Sequence, residues 1–264
     1  GNASERWKNM RPVRKKEVGE RVVYHPSYQS MNDAGVEYVI QASYHPYSEA
    51  KNPLIANLGT YCSYCEEYRA EGDLHVEHIA AKGKGGAEED WENFLLCCNV
   101  CNSVKGTKAE PGNVGEMVLP HVDNTYLCFL YDESGRVKVN PALPEKTYAL
   151  AKVLYDRIGL GRYPGSEELP SERDFRWRHR FEAWISATRY LKQYQKDPTV
   201  KDSILQYIQK VGNWSVFFTV FKEIDEMRKA LIEEFPGTSA VCFDAENHYE
   251  PIPRHEEIDR LKNK

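Results

Sequence analysis

The sequence predicts an α+β chain, in which a small unit tied by paired cysteines sits in a mainly α-helical protein with a small β-hairpin. Three observations carry that expectation. Two Cys-x-x-Cys pairs, Cys62/Cys65 and Cys98/Cys101, bracket the thirty-two residues 66–97. Between them Leu74-His75-Val76-Glu77-His78-Ile79 alternates apolar and polar residues, the pattern of a strand with one buried face. Beyond Pro141 the apolar positions recur at helical spacing.

The chain has 264 residues, 41% hydrophobic and 28% charged, as in an ordinary soluble globular protein. That length suffices for one good core, or for a small metal-held module plus a helical domain. No run of eighteen apolar residues occurs, and the N-terminus lacks a charged flank followed by an apolar core. Neither a membrane span nor a signal peptide is expected, and the expected location is the cytoplasm. Seven cysteines in that compartment argue against a disulfide scaffold, and four of them at paired spacing argue for a metal. Cys97, Cys128 and Cys242 lie in apolar runs and are expected as buried small hydrophobes.

Four segments follow: an N-terminal segment (1–57), the cysteine-bracketed unit (58–110), a hairpin connection (111–140) and a helical C-terminal domain (141–264). Residues 1–9 are expected to be weakly structured, with Met10 a candidate natural start. From Arg11 to Gln41 the apolar runs are too short to assign. His25, His45 and the tyrosines of this region are expected to pack or lie at the surface. Ser48–Leu58 carries Ala50, Leu54, Ile55 and Leu58 at helical spacing and ends at Gly59. The glycines in Lys82-Gly83-Lys84-Gly85-Gly86 require a loop, and Asn99–Lys108 reads as a single-helix turn. Tyr126–Tyr131 and Arg136–Val139, either side of Asp132-Glu133-Ser134-Gly135, predict the hairpin. Helices are expected at 144–158, 171–195, 200–211 and 214–235. The second should bury a stripe of Trp177, Phe181, Trp184, Thr188 and Leu191 and leave its arginines at the solvent edge.

Thiolates two residues apart bind one ion from a tight turn, and two such turns complete a tetrahedron. Cys62, Cys65, Cys98 and Cys101 therefore predict a structural zinc. With four protein ligands it has no open position, so it should hold shape and clamp the two ends of the intervening segment together.

Hydrolysis of a phosphodiester needs a deprotonated water and a divalent ion to stabilise developing charge. His78 suits the first role, because imidazole titrates near neutral pH. Glu77 and Asn102 suit the second, because oxygen donors bind hard Mg²⁺ or Mn²⁺. Strand neighbours point to opposite faces, so Glu77 and His78 could share one site only across a bend.

At these residues the stretch resembles the HNH endonuclease family, in a zinc-stapled version of the ββα-metal finger. The resemblance rests on Glu77-His78-Ile79, Lys82…Gly85-Gly86, Asn93-Phe94-Leu95-Leu96 and Cys98-x-x-Cys101-Asn102-x-x-Lys105-Gly106. It implies that His78 is the general base, that Glu77 and Asn102 hold the catalytic ion, and that Asn93 holds the histidine loop in place. The pattern here is H-N-N, with Asn102 where the family name has its last histidine and Glu77 where Asp or His is commoner. His75 is expected to be a flanking strand residue, because the family aligns the histidine that directly follows the acid. Leu58-Gly59-x-Tyr61-Cys62-Ser63-Tyr64-Cys65-Glu66 looks like the branch found in anti-phage systems of the Septu (PtuB) type, which implies an ATPase partner. Gly212-x-x-Ser215, Phe235-Pro236-Gly237-Thr238 and Cys242-Phe243-Asp244 also look like related HNH proteins.

A formal charge of −5 does not advertise a nucleic-acid binder, so a DNA substrate must meet a local basic patch. Lys82 and Lys105 are the candidates for substrate phosphates. Lys84, Lys108, Arg11, Arg14, Lys15, Lys16 and the arginines between Arg173 and Arg180 are the wider set. The alternative is a non-catalytic zinc-knuckle module that binds nucleic acid or a protein, in which Glu77 and His78 merely decorate a strand.

Overall fold

The structure is a computed structural model that describes residues 8–24, 35–107 and 111–254, so the expectations for residues 1–7, His25 and Lys108 fall outside it. In chain order the N-terminal half holds β1 (Lys8–Asn9), β2 (Arg21–Tyr24), β3 (Val36–Val39), α1 (Lys51–Leu58), β4 (Leu74–His78), β5 (Phe94–Cys98) and α2 (Asn99–Lys105). There follow β6 (Phe129–Tyr131), β7 (Val137–Val139), α3 (Glu145–Arg157), α4 (Arg176–Lys196) and α5 (Lys201–Val211). Last come α6 (Trp214–Val220), α7 (Asp225–Glu233), β8 (Phe243–Asp244) and β9 (Glu250–Pro251). The mixed α and β content agrees with the expected class. No helix among the described residues is long and apolar enough to cross a membrane.

β4 and β5 form an antiparallel pair in register from Leu74↔Cys98 to His78↔Phe94, and α2 follows β5 directly. Both faces of β5 are covered, since Phe94 to Cys98 are all buried, which explains why the sequence there is a continuous apolar run. The segments drawn from the sequence share one apolar core that runs from Met10 to Phe243. Cys97, Cys128 and Cys242 lie inside it, fully buried.

Several local expectations need correction. Lys8 and Asn9 are ordered as a strand against β6, because buried Asn9 is held by Met10 N (2.8 Å) and Ser215 Oγ (3.0 Å). β2 and β3 pair as a hairpin that the short apolar runs did not reveal. The helix expected over 214–235 is two helices, α6 and α7, broken at Phe221–Ile224. Trp214, Phe217, Phe218 and Phe221 are all buried there.

The face of α4 is rotated from expectation: Trp177, Trp184, Thr188 and Leu191 are half-buried, with Trp184 and Leu191 against the core, and Arg173 and Arg178 lie exposed as expected. Arg176, Arg180, Ala183, Ala187 and Tyr194 face inward, whereas Phe181 is 38% exposed. Those two arginines are buried because acceptors await them. Arg180 donates to Gly135 O (3.0 Å), and Arg176 to Ile158 O (2.7 Å), Gly159 O (3.1 Å) and Asp174. Arg11 behaves alike, donating to Leu58 O, Pro236 O and Thr238 Oγ1. Much of the basic set expected to meet a polyanion is thus spent inside the fold.

The helical half docks on the first cysteine pair through Gly212 and Ser215. Glu66, at φ 66° and buried, accepts from Ser215 N (3.0 Å), Ser215 Oγ (2.6 Å) and Arg11 N (2.9 Å). Gly212, at φ +75°, passes so close that a Cβ would meet Glu66 O at 2.2 Å. Gly212→Ala should therefore lower the unfolding free energy by roughly 2–4 kcal/mol in chemical denaturation, from strain plus displacement of the backbone. Gly72→Ala, where a Cβ meets nothing within 4 Å, is the control and should change stability little.

Candidate active site

The four cysteines meet as the spacing requires. The Sγ atoms of Cys62, Cys65, Cys98 and Cys101 lie within 4.8 Å of one another, all buried. Four Zn–S bonds of about 2.3 Å in a tetrahedron put neighbouring sulfurs about 3.8 Å apart. Cys65 Sγ and Cys98 Sγ are 3.7 Å apart, so the residues fit a zinc ion, which the cluster can hold. Backbone geometry supports it: Cys98 caps α2 with its sulfur, which accepts from Cys101 N at 3.5 Å.

Four thiolates around a dication leave two negative charges in the core, and buried cations answer them. Arg176 Nη1 reaches Cys101 Sγ at 3.3 Å, and Asp174 and the end of α3 fix its guanidinium. Burial works against that charge, but Cys101 and Asp174 outweigh it and hold Arg176 well above its ordinary value. Glu67 Oε2 lies 3.7 Å from Cys65 Sγ and is ion-paired with Arg69 and His179. α4 therefore supplies the outer layer of the cysteine cluster, a role its sequence gave no sign of.

The cluster ties the first cysteine turn to β5 and α2, β4 pairs with β5, and a groove of about 340 Å³ opens at the junction of β4 and α2. His78, Lys82, Asn102 and Lys105 line it, as do His75 and Tyr47. His78 Nε2 bonds Glu88 O at 2.9 Å, and its ring packs edge-on between Tyr47 (4.7 Å between centroids) and Phe94 (5.3 Å). A carbonyl only accepts, so Nε2 carries a proton, which in the neutral ring leaves the lone pair on Nδ1.

Asn93 does not line the groove and lies behind it. Its Oδ1 accepts from Ala80 N (2.8 Å), and its Nδ2 donates to Ala80 O (2.9 Å) and Ala87 O (2.8 Å), which closes the loop after His78. Gly86 completes that closure, because a Cβ there would meet Ala80 O at 2.0 Å. Lys82 stands over the Tyr47 ring at 4.7 Å and pairs with Glu88 at 3.4 Å.

Glu77 and His75 share the other face of β4, turned to α2. His75 Nε2 contacts Asn99 Oδ1, and Glu77 is ion-paired with Lys105. Asn102 sits one helical turn from each of those α2 residues, on the same flank. Glu77 does not itself line the groove: its side chain is 1% exposed and that of Lys105 is 2%. Glu77 Oε2 also accepts from Tyr64 Oη at 2.9 Å. Burial and the Glu77 charge push the Tyr64 phenol well up, so it stays a donor. As arranged, these residues do not fit a divalent ion: one carboxylate is already neutralised and covered, and Asn102 alone of the two expected ligands faces the groove.

Sequence reasoning missed Tyr47, Glu88 and Tyr64. Tyr64 could have been suspected from its place inside the first cysteine pair. Tyr47 and the carbonyl of Glu88 reach His78 only through the tertiary fold.

Purified protein should hold one zinc per chain, and its removal by a chelator should lower Tm by roughly 10 °C or more. Arg176→Met should speed chelator-driven zinc release by about tenfold, read with a colorimetric zinc indicator.

Residues 62–114, about a fifth of the chain, match a family model described as HNH endonuclease. No curated protein matches the chain. The matched span begins at the first cysteine of the cluster and contains β4, β5, α2 and every residue lining the groove except Tyr47.

Proposed function

We propose that the protein is a metal-dependent endonuclease that hydrolyses DNA phosphodiester bonds at the groove between β4 and α2. One observation carries the reading: His78 is held at Nε2 by a carbonyl and between two aromatic rings, in the groove that Asn102 and Lys82 also line. With Nε2 protonated, Nδ1 of His78 takes a proton from a water poised at the phosphorus, and the resulting hydroxide displaces the leaving oxygen. Asn93 serves this step at one remove, since the loop it closes carries the Glu88 carbonyl that orients the ring. Lys82 meets substrate phosphate, releasing Glu88 as it does so. A divalent ion such as Mg²⁺ or Mn²⁺, the kind HNH nucleases generally use, would stabilise charge developing on phosphate and leaving oxygen. The resemblance assigns Glu77 and Asn102 to it, but in the arrangement seen Lys105 occupies Glu77 and Asn102 alone faces the groove.

The resemblance around Leu58–Glu66, and in the late segments that hold Gly212, Ser215 and Gly237, supports a role in cytoplasmic anti-phage defence beside an ATPase partner. The charge of the groove rim favours a partner too. Lys82 is engaged by Glu88, and Glu89 and Asp90 follow in the same loop, so the rim repels DNA until something shifts it.

One observation favours the second reading, a non-catalytic zinc-knuckle module: the expected ligand Glu77 is sealed by Lys105. Plasmid nicking separates the two. With Mg²⁺ or Mn²⁺ the protein should nick supercoiled DNA, and His78→Ala should cut the rate at least ~100-fold with zinc content and Tm unchanged. Equal nicking by the variant would remove His78 as the base. Addition of the cognate ATPase should raise wild-type nicking and leave His78→Ala silent.

A further inference from the structure

Tyr47 reaches the groove from outside the cysteine-bracketed unit. It opens the short turn Tyr47–Ala50 that leads into α1, and buried Ala50 and Leu54 anchor that turn and helix in the core. Its half-buried ring lines the groove and touches two of the groups that the proposed reaction uses. The His78 imidazole stands 4.7 Å away between centroids, with the planes at 72°, and the Lys82 ammonium lies 4.7 Å from the centre of the same ring. Lys82 pairs in turn with the Glu88 carboxylate at 3.4 Å, and the Glu88 carbonyl accepts from His78 Nε2 at 2.9 Å. The four residues therefore close a ring of contacts. Three of them lie within residues 78–88, and Tyr47 is the one supplied from elsewhere in the chain.

A single hydrogen bond at Nε2 sets a direction and lets the imidazole pivot about it. The plane of the ring is set by what lies on either side, Phe94 in the core at 5.3 Å and 86°, and Tyr47 on the groove side. Lys82 depends on Tyr47 for a similar reason. Its ion pair is exposed on both partners, at 47% and 59% of the side chains, and such pairs hold a long side chain weakly. The aromatic ring beneath the ammonium is a second hold.

We propose that Tyr47 is a positioning residue of the groove: its ring fixes the plane of the His78 imidazole, and so the direction of Nδ1, and holds the Lys82 ammonium beside it. Both contacts are made by the ring, so phenylalanine should substitute for tyrosine. The role deepens the nuclease reading and rests on His78 as the base, and it is independent of which residues hold the divalent ion.

The test compares zinc-loaded wild type, Tyr47→Phe, Tyr47→Leu and His78→Ala in plasmid nicking with Mg²⁺ or Mn²⁺, and reads the His78 imidazole nitrogens of the three His78-bearing proteins by NMR. Tyr47→Leu should lower kcat by about 20-fold or more and replace the Nε2-protonated tautomer of His78 with a mixed signal, at unchanged zinc content. Tyr47→Phe should rescue both, with kcat within about threefold of wild type and the wild-type His78 spectrum. Lys82→Met should raise KM for DNA about fivefold in wild type and by less than about twofold in Tyr47→Leu, where the lysine has already lost its place. Should Tyr47→Leu lower the Tm, Tyr47→Met, which fills the space with a flexible chain, takes its place under the same expectations. If His78→Ala abolishes nicking while Tyr47→Leu keeps the wild-type kcat, the positioning role is overturned and the nuclease reading stands. A fall in kcat with an unchanged His78 spectrum also overturns it, since the ring would then act other than through His78. If wild type fails to nick, or His78→Ala nicks as wild type does, the base assignment falls and the positioning role falls with it.

Discussion

The four-thiolate cluster is the constraint on which the rest depends. It joins the tight turn at Cys62–Cys65 to the end of β5 and the first turn of α2. Removing one thiolate leaves the others as unpaired buried groups, so the cluster acts as a unit. Its charge also organises what surrounds it. With a zinc ion bound, four thiolates would leave two negative charges in a dry core, and α4 turns Arg176 inward to meet Cys101. The helical half is thereby committed to the knuckle by electrostatics as well as by packing, and Gly212 and Ser215 lock the other side through Glu66.

From that clamp the geometry of the groove follows. With β4 fixed against α2, strand alternation sends Glu77 and His75 toward the helix and leaves His78 at the strand end, where the loop closed by Asn93 hands it the Glu88 carbonyl. The two neighbours are thus divided by face. His78 keeps a half-exposed ring with one nitrogen committed, and Glu77 is buried with a compensating charge. A buried carboxylate needs a compensating cation, and Lys105 supplies it.

What the sequence disclosed was local chemistry. Cysteine spacing, the alternation of Leu74–His78 and the glycines after Lys82 are short-range signals, and each of those elements is where the sequence puts it. What stayed hidden depends on partners far along the chain. Arg11, Arg176, Arg180 and Lys105 read as surface cations because long basic side chains are seldom buried, and only the fold shows the carbonyls, thiolate and carboxylate that receive them. The same reason rotates α4. Its aromatic stripe read as core by residue type, yet Arg176 and Arg180 take the innermost positions, Trp184 and Leu191 pack at the core's edge, and Phe181 lies at the surface. Tyr47 carries no motif at all, and its contact with His78 joins residues thirty-one apart in the chain.

The central claim is that the cysteine cluster assembles the groove and sets the protonation geometry of His78. The imidazole nitrogen resonances of His78 test it most directly, recorded by NMR on histidine-labelled protein before and after zinc is stripped. In the zinc-loaded protein His78 should show a single tautomer with the proton on Nε2, and stripping should replace it with the averaged signal of a solvated ring. An unchanged His78 spectrum after complete zinc removal would show that the groove stands without the cluster and would contradict the account.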